Sequence, residues 1–243
     1  MILNFTKKFI FLSNPKCGST SIREVLNYFG HAQVTQRTLM ESMRDEINNG
    51  EYEVNPANLL HVSAHEAKNY INEVPEEEFP SWEDFYTFTT VRNPWKKMVS
   101  YYFMSQPDKN WKTIFDPEAE RDMPSRFSKH FNDFCKWVID EGRGLPSYEF
   151  FCCDWDTKEQ LVDDVFKLEE IDDVFFSSLK RETDIEFPMQ KLPDLMADVK
   201  TERYTDNFKF KGNPYDLYNE ETEALIAEVY KSDIEKFGYV FGE

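Results

Sequence analysis

Lys16, Cys17, Gly18, Ser19, Thr20 and Ser21 stand together in FIFLSNPKCGSTSIR (residues 9–23). A lysine, a glycine and three hydroxyls in that order have the makings of an anion cradle. Amides at a helix N-terminus carry partial positive charge and lack intrahelical partners, so they suit a phosphate or sulfate. If Ser19 opens a helix, the amides of residues 18–21 point at the ligand, and Lys16, Ser19, Thr20 and Ser21 add donors. No Gly-Lys-Ser/Thr closes the loop and its lysine precedes the glycine, which counts against an ATPase or GTPase.

A second set lies in FTTVRNPWKKMVSY (residues 88–101). Arg92 ends an alternating aromatic and β-branched run, Asn93 can cap the next helix, and Pro94 suits its first position. Lys96 and Ser100 follow Asn93 by three and seven residues and share its helical face. A guanidinium at a strand tip and a hydroxyl two turns into a helix can grip one dianion from two sides. Two anion sites on separate strand ends call for a ligand with two separated phosphate-like groups. His61 is a candidate proton acceptor, with His65 and Glu66 one turn later as competitors.

The elements that must position these groups can be read from periodicity. Residues 9–12 form a short apolar strand, Asn14, Pro15 and Gly18 break it, and Ile22, Val25, Leu26 and Phe29 mark an amphipathic helix. A helix over 36–48, a short strand near Leu59 that ends at His61, a helix from His65, a strand over 85–91 and a helix from Pro94 follow. Alternation of this kind predicts an α/β fold with a central parallel sheet, flanked by helices and binding ligands at the strands' carboxyl ends. The second half is helical by pattern, over 125–141, 171–182 and 221–237.

These residues resemble the sulfotransferases that use 3'-phosphoadenosine-5'-phosphosulfate (PAPS). PKCGSTS is similar to that family's loop for the 5'-phosphosulfate, and RNPWKKMVSYY to its 3'-phosphate element. HVSA at 61–64, KLEEI at 167–171 and YKSDIEKFGYVF at 230–241 extend the resemblance almost from end to end, closest to the carbohydrate branch that includes heparan 2-O and chondroitin-type enzymes. The resemblance implies a P-loop-like nucleotide-binding fold, PAPS as donor and 3'-phosphoadenosine-5'-phosphate (PAP) as product, without a metal. It implies donor contacts at Lys16, Cys17, Gly18, Ser19, Thr20, Ser21, Arg92 and Ser100. Lys16 then stabilises the bridge and sulfuryl oxygens, and His61 is the general base. Lys97 stands where the pattern has arginine, which keeps the charge and loses the fork geometry.

Composition bounds the rest. A chain of 243 residues with 40% hydrophobic content can bury one good core, and no linker divides it, so a single catalytic domain over 1–243 is expected. The net charge of −18 is high for an enzyme with a polyanionic donor, so positive charge must gather at Lys16, Arg23, Arg92, Lys96 and Lys97. The same balance weighs against nucleic acid and polyanionic glycans and favours a neutral or cationic small-molecule or carbohydrate acceptor. Acceptor choice is expected in the loops over 104–125 and 198–214, where Tyr204, Lys209 and Lys211 lie. No window reaches the roughly 20 apolar residues of a spanning helix and no signal peptide precedes the first strand, so a soluble, cytoplasmic protein is expected.

Cys17, Cys135, Cys152 and Cys153 make neither a disulfide framework nor a metal pattern. Cys17 and Arg23 do have the Cys-x5-Arg spacing of cysteine-dependent phosphatases and arsenate reductases, in which a thiolate attacks phosphorus. That reading gives Arg92 and Ser100 no task. A nucleotide-binding module could keep the clamp without catalysing transfer, but Lys16 and His61 together speak against it. A small-molecule kinase is held back by the missing Walker sequence.

Overall fold

The computed structural model describes residues 1–4, 6–28, 61–72, 80–105, 123–171, 173–185 and 213–243. The expected elements at 36–48 and near Leu59, most of the loop 104–125, and Tyr204, Lys209 and Lys211 lie outside the described residues. The chain groups into two compact units, Met1–Val91 with Tyr148–Ala197, and Arg92–Ser147 with Asp198–Glu243.

The first unit is built on a four-stranded sheet in the order β1 (Ile2–Asn4), β2 (Phe9–Leu12), β3 (Tyr86–Val91), β4 (Asp164–Lys167). β1 runs antiparallel to β2, whereas β2, β3 and β4 are parallel, with Phe11 opposite Phe88 and Phe88 opposite Asp164. The parallel centre is the α/β architecture expected from the alternation of elements. Periodicity does not predict β1 and β4, since three or four residues give too little pattern to read.

α1 (Ser19–Tyr28) and α6 (Asp173–Thr183) cover the sheet face that carries Phe9, Phe11 and Phe88. Phe88 is the hub, with ring centroids 5.2 Å from Phe11, 5.9 Å from Phe9 and 6.2 Å from Phe175. Burying each such ring contributes about 1.5–3 kcal/mol, which fixes the strands' register and so the height at which their ends stand. α2 (Ala64–Asn72) buries Ala64, Ala67 and Ile71, and α5 (Tyr148–Cys152) belongs to the same unit.

The second unit gathers α3 (Pro94–Ser105), α4 (Met123–Asp140), α7 (Glu220–Val229) and α8 (Lys231–Phe237). Its core joins Trp95, Met98, Tyr102, Phe131, Cys135, Val138, Ile226 and Tyr230. Periodicity predicts one helix over 221–237, and two are present. Apolar spacing continues across the join, but Tyr230 adopts φ −106° and ψ 30° and sends its hydroxyl to the Leu145 carbonyl at 2.8 Å. Among the described residues no helix is long and apolar enough to cross a membrane.

Candidate active site

β2 delivers the chain into residues 13–18, and the loop's shape follows from a few local bonds. The Cys17 amide donates to the Asn14 carbonyl at 3.3 Å, closing a four-residue turn with Pro15 second and Lys16 third. Proline favours the second place, and the third takes φ +63° at Lys16. A non-glycine residue in the left-handed region costs on the order of 1 kcal/mol and is held only where its surroundings insist. Gly18 follows at φ +76°. The backbone angle favours glycine, and a Cβ there would stand 2.3 Å from Leu168 Cδ1 and displace the end of that side chain.

β3 and β4 hold this loop from outside. Asn14 Nδ2 donates to the Thr90 carbonyl at 3.1 Å, and Thr90 Oγ1 donates to the Cys17 carbonyl at 2.6 Å. Leu168, in the 3-10 turn Leu168–Glu170 that ends β4, packs on Gly18. The loop then enters α1, whose first bond runs from the Ile22 amide to the Gly18 carbonyl at 3.2 Å. Ser19 is buried, Thr20 exposed, and Lys16 and Ser21 half-buried. The helix start expected at Ser19 is therefore present, with the loop amides at its N-terminus. Ser13 Oγ and Asn14 Oδ1 are buried without a hydrogen-bond partner among the described residues. Orphaned polar atoms of this kind mark places where a water or ligand belongs.

Cys17 is fully buried and its thiol donates to the Pro15 carbonyl at 3.4 Å. A phosphatase nucleophile needs an accessible thiolate in the anion's path. This sulfur is buried and turned to a carbonyl, which counts against a Cys-x5-Arg enzyme.

His61 sits in a short turn before α2 and is exposed, yet its Nδ1 lies 2.6 Å from the Ser13 carbonyl. A carbonyl only accepts, so Nδ1 carries the proton and Nε2 keeps a lone pair. The ring is only partly withdrawn from water, and that loss of hydration is the largest cause lowering its pKa below the ordinary 6.5; the Ser13 bond raises it, and the positive charges of the N-terminus, Arg23 and Lys16 lower it further. The imidazole is thus neutral at pH 7 and presents an acceptor nitrogen. Its competitors are held by other neighbours. Glu66 Oε2 accepts from the Ser63 amide at 2.9 Å and the Ser63 hydroxyl at 2.7 Å, which caps α2. His65 Nδ1 stands 3.2 Å from Asp154 Oδ2, and its ring is stacked on Trp155.

In the second unit, Asn93 Oδ1 accepts from the amides of Trp95 at 3.1 Å and Lys96 at 3.3 Å, the cap expected from RNPW. Arg92 precedes this cap and is half-buried. Lys96 and Ser100 share the less buried side of α3, and the Lys96 ammonium lies 5.7 Å from the Tyr215 ring centre. Lys97 turns inward instead. It is 1% exposed, donates to the Pro146 carbonyl at 2.6 Å and lies over the Tyr230 ring. Its expected share in the positive cluster is therefore corrected, because its ammonium is buried against Pro146 and Tyr230 of its own unit.

Sequence reasoning missed Ser13, Asn14, Thr90 and Leu168 as the loop's supports. Asn14 and Thr90 stand beside motif residues, which is a signal, but their partners lie more than 70 residues away. Among the described residues no group of three His, Cys, Asp or Glu could hold a metal ion. No curated protein and no solved structure matches this chain. A family model described as the sulfotransferase family matches its residues 1–240, a span that takes in both units.

Proposed function

The chain belongs to the sulfotransferase family, enzymes dependent on PAPS, and on that premise we propose that it transfers the sulfuryl group to a hydroxyl or amine of a small-molecule or carbohydrate acceptor. The donor supplies an activated sulfuryl group on a phosphate leaving group. The loop's residues fit such a ligand: a strained left-handed lysine, a helix N-terminus, and the buried Ser13 hydroxyl lacking a described partner.

In this reading the amides at the start of α1, with Ser19, Thr20 and Ser21, bind the 5'-phosphosulfate. Lys16 offsets the charge that develops on the bridge oxygen as the sulfuryl group leaves in line. His61 takes the acceptor's proton at Nε2. Arg92 and Ser100 are assigned the 3'-phosphate on the strength of their motif. The charge of −18 favours a neutral or cationic acceptor over a polyanion.

The observation that supports this proposal is that one strand end holds both groups. The Ser13 carbonyl sets the proton of His61, and the very next residue begins the anion loop. Calorimetric titration with PAP, 5'-AMP and ATP tests donor recognition. Preferential binding of PAP, lost selectively in Arg92→Ala, is expected, and preference for ATP would remove the donor assignment. His61→Ala should lower turnover by about 100-fold or more with PAP binding intact, and near-normal turnover would move the base elsewhere.

A further inference from the structure

Two imidazoles stand four residues apart at the start of α2 and are treated differently. His61 is exposed and, among the described residues, is hydrogen-bonded to Ser13. His65, in the first turn of the helix, is gripped on its edge and its face. Asp154 Oδ2 lies 3.2 Å from His65 Nδ1 and the Trp155 amide nitrogen 3.3 Å from it, so this nitrogen either donates to the carboxylate or accepts from the amide, according to its tautomer. The Trp155 indole stacks on the imidazole at 4.5 Å between centroids and 12° between planes.

The gripping segment is itself rigid. Asp154 Oδ1 accepts from the amides of Asp156 and Thr157, both at 2.9 Å. These bonds come first among the causes that lower its pKa, so it is held as a carboxylate. The loop's ends are tied by the Asp154 amide to the Glu159 carbonyl at 2.8 Å and the Leu161 amide to the Cys152 carbonyl at 2.9 Å. Trp155 is also stacked against Phe150, 5.1 Å away, and donates from Nε1 to the Phe150 carbonyl at 3.0 Å. A preformed carboxylate and a clamped indole therefore meet the first turn of α2.

We propose that Asp154 and Trp155 are positioning residues for His61, acting through His65 to fix the start of α2 and hence the place from which His61 reaches the Ser13 carbonyl. This deepens the reading of His61 as general base and rests on it. A single bond to Ser13 orients the ring only if the backbone beneath it is held at the right height. Val62, Ser63 and Ala64, the residues between the two histidines, are buried with their short side chains inward. Displacement at His65 is then transmitted along a stretch that cannot absorb it by exposing a flexible side chain. Packing alone would be met by an apolar residue at position 65, whereas here both ring face and ring edge are specified.

The test reads His61 directly and needs no acceptor. In the full chain labelled with 15N-histidine, long-range 1H–15N spectra report the tautomer and titration of each imidazole, and His61→Ala assigns His61 among the four histidines. The wild type should show His61 as the Nδ1–H tautomer titrating below 6.5. Trp155→Ala and Asp154→Ala should mix its tautomers and return its titration to the ordinary range, with PAP affinity unchanged within twofold. Trp155→Phe, which restores a stacking ring, should restore the wild-type spectrum. If either alanine variant fails to unfold cooperatively, Asp154→Asn carries the test and should shift His61 the same way. An unchanged His61 in folded Trp155→Ala and Asp154→Ala overturns the positioning role alone. A wild-type His61 in the Nε2–H form overturns the base itself.

Discussion

Replacing Gly18 by alanine tests the anion loop where its geometry is most demanding. The residue sits at φ +76°, and an L side chain in that region costs about 1–2 kcal/mol. The added Cβ would also meet Leu168 Cδ1 at 2.3 Å, Cδ2 at 3.2 Å and Cγ at 3.3 Å. The closest of these atoms is the end of a side chain, so Leu168 can turn away in part, and overpacking of this kind costs about 1–3 kcal/mol. The two penalties together give about 2–5 kcal/mol in urea unfolding, and PAP affinity should fall with them if the displaced amides hold the anion as proposed.

The two penalties can be separated. Leu168→Ala removes the overlap and leaves the backbone angle, so Gly18→Ala/Leu168→Ala should be less destabilised than the sum of its single variants by about 1–3 kcal/mol. Additivity within about 0.5 kcal/mol would mean that β4 does not set the loop. Wild-type PAP affinity in a folded Gly18→Ala protein would refute the loop as the anion site, whatever the coupling.

The lowered pKa of His61 gives a signed expectation. The acid limb of kcat/KM should fall below 6.5 and leave activity level through pH 7, and a limb at or above 6.5 would contradict the environment described for the ring. The unfolded chain binds this proton more tightly than the folded one. The group's stability contribution is therefore complete above 6.5 and is lost as pH falls through the folded value, which the stability gap between wild type and His61→Phe measures. Lys97→Met should cost about 1.5–3 kcal/mol by leaving the Pro146 carbonyl unpaired, yet leave PAP affinity unchanged, and a selective loss of PAP binding would return Lys97 to the phosphate site. Cys17→Ser should keep turnover within a few-fold and show no inhibition by vanadate, since a hydroxyl can make the same bond to Pro15, whereas loss of activity together with vanadate sensitivity in the wild type would restore the thiolate mechanism.

The strand, loop and helix of residues 9–28 are legible in the sequence because each signal is local. An apolar run, Pro15, Gly18 and the hydroxyls at the helix start each state their conformation within a few positions. The Asn93 cap and the shared side of Lys96 and Ser100 follow for the same reason. What holds these groups in place is not local. Asn14 reaches Thr90 across 76 positions, His61 reaches Ser13 across 48, and Leu168 closes on Gly18 from the far end of the sheet. Periodicity reports which side of an element is apolar and says nothing of which carbonyl waits opposite. Lys97 shows the cost of that gap most plainly. Beside Lys96 in the sequence it counts as a second cation for the ligand, and only the Pro146 carbonyl and the Tyr230 ring reveal that its charge is already satisfied. The same logic separates His61 from His65. Both are histidines of one short segment, and what differs is the partner each Nδ1 meets, the Ser13 carbonyl for His61 and the Asp154 carboxylate for His65, whose ring also lies stacked on Trp155.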